Sequence, residues 1–346
     1  MENRIENKSE RIFYLDFLRA ISTVAVILMH IGIEKNWGGI SIAQFNTIQC
    51  MLAGWCVPMF LMITGTLFLN ASDCSFQRIW SHVKKTILVI VFWGFLYNFV
   101  SLTMIKGFSI STIINSLKMI ALADVTFCYQ FWYLYALIPM YFLLPIFNAF
   151  IKSATNKDFS IVVFLFFVFS IIVPNIIKYT GDFGATSLIN KFSLFCSLYF
   201  YMLLGAYLNR INVKKIIVFI LSALSVMIFG IVIVCGVLNI DIYPENIYGY
   251  DSLYICIVDS NIYLIAKMKN DYSKNTKKIF GFISNYSFGI YILHVIVLQM
   301  LRKIAHFDSG FAPAFISVPI VLLVVLLISL VGSVIAKKIP VLKRLL

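Results

Sequence analysis

Arg19 and His30 lie inside the first apolar stretch of the chain, RIFYLDFLRAISTVAVILMH, where nearly every neighbour is hydrocarbon. A charged side chain at membrane depth costs roughly 3 kcal/mol or more, so such residues are retained for a function by default. An imidazole takes a proton from a hydroxyl near neutral pH and returns it to a leaving group, or carries a group covalently. A guanidinium holds a phosphate or carboxylate through two parallel hydrogen bonds. The two residues are eleven positions apart, close to three helical turns. Both side chains therefore leave one helix face, roughly 16 Å apart along its axis. Asp16 lies on the same stripe, three residues before Arg19, where the two pair on a helix surface. A purely architectural reading is also open: Arg19 anchored by Asp16, and His30 bonded across helices. Glu34, one turn beyond His30, either orients the imidazole or sits at the surface past the helix end.

A second polar stripe is SNYSFGIYILH at 284–294, which puts Ser287, Tyr291 and His294 near one face. Two intramembrane histidines point to a polar cavity more strongly than either alone. Arg78, His82, Lys84 and Lys85 form a basic cluster that suits donor phosphates or, more plainly, marks membrane sidedness. YQFWYLYALIPMYFLLPIF at 129–147 is an aromatic block, read either as an interfacial belt or as a stacking wall for a ring. Pro58 and Gly65 in the second apolar run permit a kink and a close helix approach. The seven cysteines are scattered without metal-type spacing, so they read as small packing residues and no metal site is expected.

The elements that position these residues follow from composition. The chain is 61% hydrophobic and 12% charged, where a soluble protein of this length is about one-quarter charged. Mean hydropathy is +0.93. The apolar runs are long and unbroken, so the fold class is all-α, a polytopic membrane protein. About ten spans are expected, at 12–34, 46–69, 84–105, 130–151, 159–178, 192–209, 214–236, 250–267, 279–301 and 314–336, enclosing a polar cavity. The 250–267 span is short and carries Asp259. With the N-terminus inside, twenty Lys and Arg residues fall on the cytoplasmic side and seven on the other. This bias sets both termini in the cytoplasm. It also accounts for the net charge of +13 without a nucleic-acid partner. The first apolar run is too long for a signal-peptide core and reads as a retained helix.

Taken in order, LDFLRAISTVAVILMH, VPMFLMITGTLFL, FWYLYALIPMYFLLPI, LYFYMLLGAYL and YSFGIYILH resemble the integral-membrane acyltransferase-3 family, with one such transmembrane domain over residues 11–337 and no separate soluble domain. The resemblance implies an enzyme of the inner (plasma) membrane that passes an acyl group, commonly acetyl from acetyl-CoA, to a hydroxyl or amine of a surface or lipid-linked glycan. Acyl-CoA would be a co-substrate, with no bound cofactor. The resemblance carries over His30 as the essential histidine and Arg19 as its partner. It sets His82 and Lys85 where the family often has a basic pair, and Gln130 where it often has a histidine. A glycan or lipid exporter using the same cavity without chemistry is the rival expectation.

Overall fold

The computed structural model describes residues 12–32, 34–35, 41–180, 197–238, 247–269 and 271–346. The described residues are mostly helical, with no strand among them. The chain is an all-α polytopic membrane protein. Its helices are α1 (Phe13–His30), α2 (Ile42–Ala53), α3 (Cys56–Leu69), α4 (Phe76–Lys106), α5 (Ile110–Ala121), α6 (Trp132–Ser153), α7 (Asn156–Phe167), α8 (Val173–Thr180), α9 (Ser197–Arg210), α10 (Lys215–Val237), α11 (Leu253–Met268), α12 (Lys274–Lys303), α13 (Ala314–Ala336) and α14 (Pro340–Leu345). Serine caps start several of them: Ser75 at α4, Ser252 at α11 and Ser273 at α12 each accept a backbone N–H. Such caps satisfy donors that no intrahelical carbonyl can reach.

Eight segments among the described residues are long and apolar enough to cross a membrane. The sequence expects ten. The two that differ are the sixth and eighth, which appear as α9 and α11 with 14 and 16 residues. Residues 192–196 of the sixth expected span lie outside the described residues.

The second span is interrupted near the place where the sequence permits a kink, with Gly54 and Trp55 keeping helical backbone angles between its two helices. Helix α2 ends at Ala53 and α3 begins at Cys56. Pro58 explains the position, because it has no N–H to donate to the carbonyl of Gly54 four residues back. The first span also stops short of its expected end at 34. Helix α1 finishes at His30, and the backbone turns extended at Ile31. The Gln49 amide on α2 supplies the missing hydrogen bonds, donating to the Leu28 carbonyl at 2.5 Å and the Ile31 carbonyl at 2.7 Å.

Helix α1 is central, packing on α3, α12, α11, α2 and α13. Its Leu15, Leu18, Val26 and Ile27 are buried. Helices α3 and α9 cross at Gly65 and Gly205, where each backbone touches the other. This is the small-residue contact expected where apolar burial cannot hold helices together in lipid. Several basic residues at the end expected to face the cytoplasm also cap carbonyls. Arg210 donates to Ile151 and Ala154, and Lys267 donates to Leu208, Asn209 and Ile211. Their charge therefore does structural work as well as biasing topology.

Candidate functional site

Two helices and a turn bring five polar residues of the bundle together. Arg19 and His30 project from α1, Ser287 and Tyr291 from α12, and Gln130 from a single 3-10 turn at Tyr129–Phe131 that leads into α6. All five line one cavity of about 280 Å³. Apart from Thr64, the rest of its wall is largely apolar and aromatic, including Phe60, Trp132, Tyr133, Tyr141, Tyr250 and Phe288. The aromatic block of the sequence is thus part of the cavity wall. Trp132 and Tyr250 stack with centroids 5.6 Å apart.

A second, wider cavity of about 1240 Å³ adjoins the first. Its lining is more polar: Asp16, Arg19, Thr66, Asn70, Ser72, Arg78, His82, Asn209 and Asn285 are among its residues. Arg19, Leu67 and Phe68 border both cavities and form the neck between them. The neck is braced by rings, since His82 meets Phe68 edge-on at 5.0 Å and lies 6.1 Å from Tyr141.

At the neck, Arg19 donates to Asp16 at 3.3 Å and to the Ser284 hydroxyl at 3.3 Å. Ser284 donates in turn to Asp16 at 2.8 Å. The Asp16 side chain is 5% exposed and that of Arg19 29%. The carboxylate is therefore anchored in the bundle while the guanidinium keeps access to the cavities. Arg19 is thus paired with Asp16 and also borders open volume.

His30 sits at the far end. Its ring meets Tyr129 in a T-shaped contact at 4.9 Å and stacks on the ring of His294 at 5.3 Å, with 24° between the planes. His294 is fully buried and does not border the cavity. Its Nδ1–H donates to the Tyr291 carbonyl at 2.7 Å. A carbonyl only accepts, so this fixes the proton on Nδ1, and Nε2 has no partner among the described residues. The Tyr291 hydroxyl donates to the Gln130 carbonyl, tying α12 to the turn beside His30.

Other expected site residues diverge. Glu34 pairs with Arg302 at 2.9 Å, with both side chains well exposed, and does not border the cavity. Of the basic cluster, Arg78 and His82 line the wider cavity, whereas Lys84 and Lys85 do not. Lys84 lies over the Trp80 ring at 5.5 Å and Lys85 over Phe288 at 5.7 Å. Arg78 also donates to the Asp73 carbonyl at 2.7 Å. Asp73 lies in the turn before α4, where hydrogen bonds from Ser75 hold its carboxyl below the usual range. Tyr129 is the neighbour of His30 that spacing did not single out; its signal was only membership of the aromatic block. Asp259, an acid inside α11, is fully buried and borders neither cavity. No cluster of metal-ligating residues occurs among the described residues.

Residues 12–337 match a family model described as an acyltransferase domain. No curated protein and no solved structure matches the chain.

Proposed function

The chain belongs to acyltransferase family 3, and from that premise we propose that it moves an acyl group, most simply acetyl, from cytoplasmic acyl-CoA to a hydroxyl or amine of a cell-surface or lipid-linked glycan. The observation that carries this reading is the pair of adjoining cavities that meet at Arg19. The wider one is lined by cations suited to the phosphates of a donor. The narrower one ends at an imidazole. The roughly 16 Å between Arg19 and His30 along α1 leaves room for the slender arm of a CoA thioester, in a wall that is mainly apolar with polar groups interspersed.

In this reading Arg19 and Arg78 hold anionic parts of the donor, and the thioester lies near His30. His30 takes the proton of the acceptor hydroxyl as its oxygen attacks the thioester carbonyl carbon. Collapse of the adduct breaks the carbon–sulfur bond, and the proton passes to the departing sulfur to give free thiol. A proton taken up by His30 sits at the carbonyl end of α1, where positive charge is favoured. The alternative route, an acyl group carried on the imidazole itself, uses the same geometry. Glu34 is given no part in either route in this reading, since it pairs with Arg302 at the surface and does not border the narrower cavity. Acyl-CoA is a co-substrate here, and the glycan acceptor meets the cavity from the outer side.

The test is acyl transfer by purified protein from labelled acyl-CoA to a glycan acceptor. No turnover with any acyl donor would favour the exporter reading. Within the basic cluster the expected effects differ. Arg78→Ala should raise the donor KM about fivefold, as one partly exposed charge contact implies, and should flatten its dependence on salt. Lys84→Ala should leave it unchanged. Equal effects at both positions would reduce the cluster to a sidedness signal. Both termini belong to the cytoplasmic side in this reading, and the membrane is the plasma membrane. In a cysteine-free background, an impermeant thiol reagent added outside intact cells should label Asp124→Cys and not Asp271→Cys. Both positions are exposed, so the reverse pattern would invert the topology.

A further inference from the structure

Helix α12 carries an unusual insertion one turn around His294. The Tyr97 hydroxyl donates to the Ile292 carbonyl at 2.7 Å and accepts from the Ile296 N–H at 3.1 Å. In an undisturbed α-helix those two groups bond to each other. A side chain set between them opens the ladder locally, and such insertions bend helices. His294 lies at the centre of the opened turn. Tyr97 itself is buried, and its ring meets Phe131 edge-on at 5.6 Å. Phe131 closes the turn that holds Tyr129 against His30 and whose Gln130 carbonyl is clamped by Tyr291. One phenol on α4 thus touches both supports of the His30 ring: the helix turn bearing His294 and the 3-10 turn bearing Tyr129.

We propose that Tyr97 is a positioning residue for His30, acting through His294 by holding the 292–296 turn of α12 open. The proposal extends the acyl-transfer reading, and its own geometry does not depend on what is transferred. Without the hydroxyl, the Ile296 N–H closes on the Ile292 carbonyl, the turn tightens, and the His294 ring moves relative to His30. Tyr97→Phe removes the hydroxyl alone and keeps the ring and its packing on Phe131.

The experiment compares the parent, Tyr97→Phe, His294→Ala and the double variant in two assays. In acyl transfer, Tyr97→Phe should lower kcat about tenfold with donor KM unchanged, since displacements near 1 Å at a reacting group cost up to 10²-fold. His294→Ala should lower kcat at least as much. The double variant should be no worse than His294→Ala, because residues acting through one contact do not contribute independently. In the second assay, diethyl pyrocarbonate modification of His30 is followed by peptide mass spectrometry. Both single variants should change its rate severalfold in the same direction. Losses that multiply in the double variant, or a Tyr97→Phe protein with parental kcat and parental His30 reactivity, would overturn the proposal. Should the parent transfer no acyl group, the acyl-transfer reading fails and the modification rates alone decide this one. His294→Ala leaves the Tyr97 insertion intact, so parental kcat and parental His30 reactivity in that variant would overturn the relay through His294 even if Tyr97→Phe accumulates poorly.

Discussion

A folded His30→Ala protein is expected to lose acyl transfer by roughly 10²- to 10⁴-fold, the usual cost of a missing general base, and by more if the imidazole carries the acyl group. The donor KM should stay near the parental value, because Arg19 and Arg78 lie toward the other end of the two cavities. His30→Gln should fare no better than alanine, since an amide keeps hydrogen bonding but cannot take the proton. The two routes then separate: rapid mixing with labelled donor and no acceptor would leave label on His30 only in the covalent route. Folding should survive the change, because the ring borders a cavity and makes its described contacts with Tyr129 and His294, not with the apolar core. Near-normal turnover of a well-folded His30→Ala protein would refute the role assigned to it.

Much of the bundle was legible because membrane insertion writes itself into composition. Runs of apolar residues near the thickness of a bilayer have few alternatives to helix. The shared cavity of Arg19, His30, Ser287 and Tyr291 was legible because helical periodicity fixes which side chains share a face. Contacts across helices were not. Nothing local to Glu34 announces Arg302, and the Gln49 amide that ends α1 at His30 comes from the next helix. Lys84 leaves the face shared by Arg78 and His82, whereas Lys85 keeps that face but lies a turn further along α4, against Phe288; a count of basic residues ignores both. His294 shares a stripe with Tyr291, yet lies behind His30 and out of the cavity. The Tyr97 insertion joins positions nearly two hundred residues apart, beyond the reach of any pattern within a span.

The largest effect on the fold should come from Gly65→Ala or Gly205→Ala. A Cβ at Gly65 would stand 1.9 Å from the Met202 carbonyl oxygen, with the Met202 carbonyl carbon and Cα also under 3 Å. A Cβ at Gly205 would stand 2.2 Å from the Met62 carbonyl oxygen. Every clashing atom is backbone, so no side chain can swing aside, and α3 and α9 must separate. Overpacking typically costs about 1–3 kcal/mol; a backbone clash on both sides of one crossing belongs at the upper end. That outweighs the gain of at most about 1 kcal/mol from replacing a helical glycine by alanine. Gly230 on α10 is the control, because a Cβ there meets nothing; Gly230→Ala should be neutral or slightly stabilising. Thermal unfolding of the purified proteins should show a drop of several degrees for the first two and none for the third. The crossing also matters for chemistry. Thr64, Leu67 and Phe68 flank Gly65 and wall the cavities, so a displaced α3 should lower transfer even in the fraction that stays folded. A Gly65→Ala protein that melts with the parent and turns over at the parental rate would mean that the helices do not approach this closely, and that α3 does not set the wall of the site.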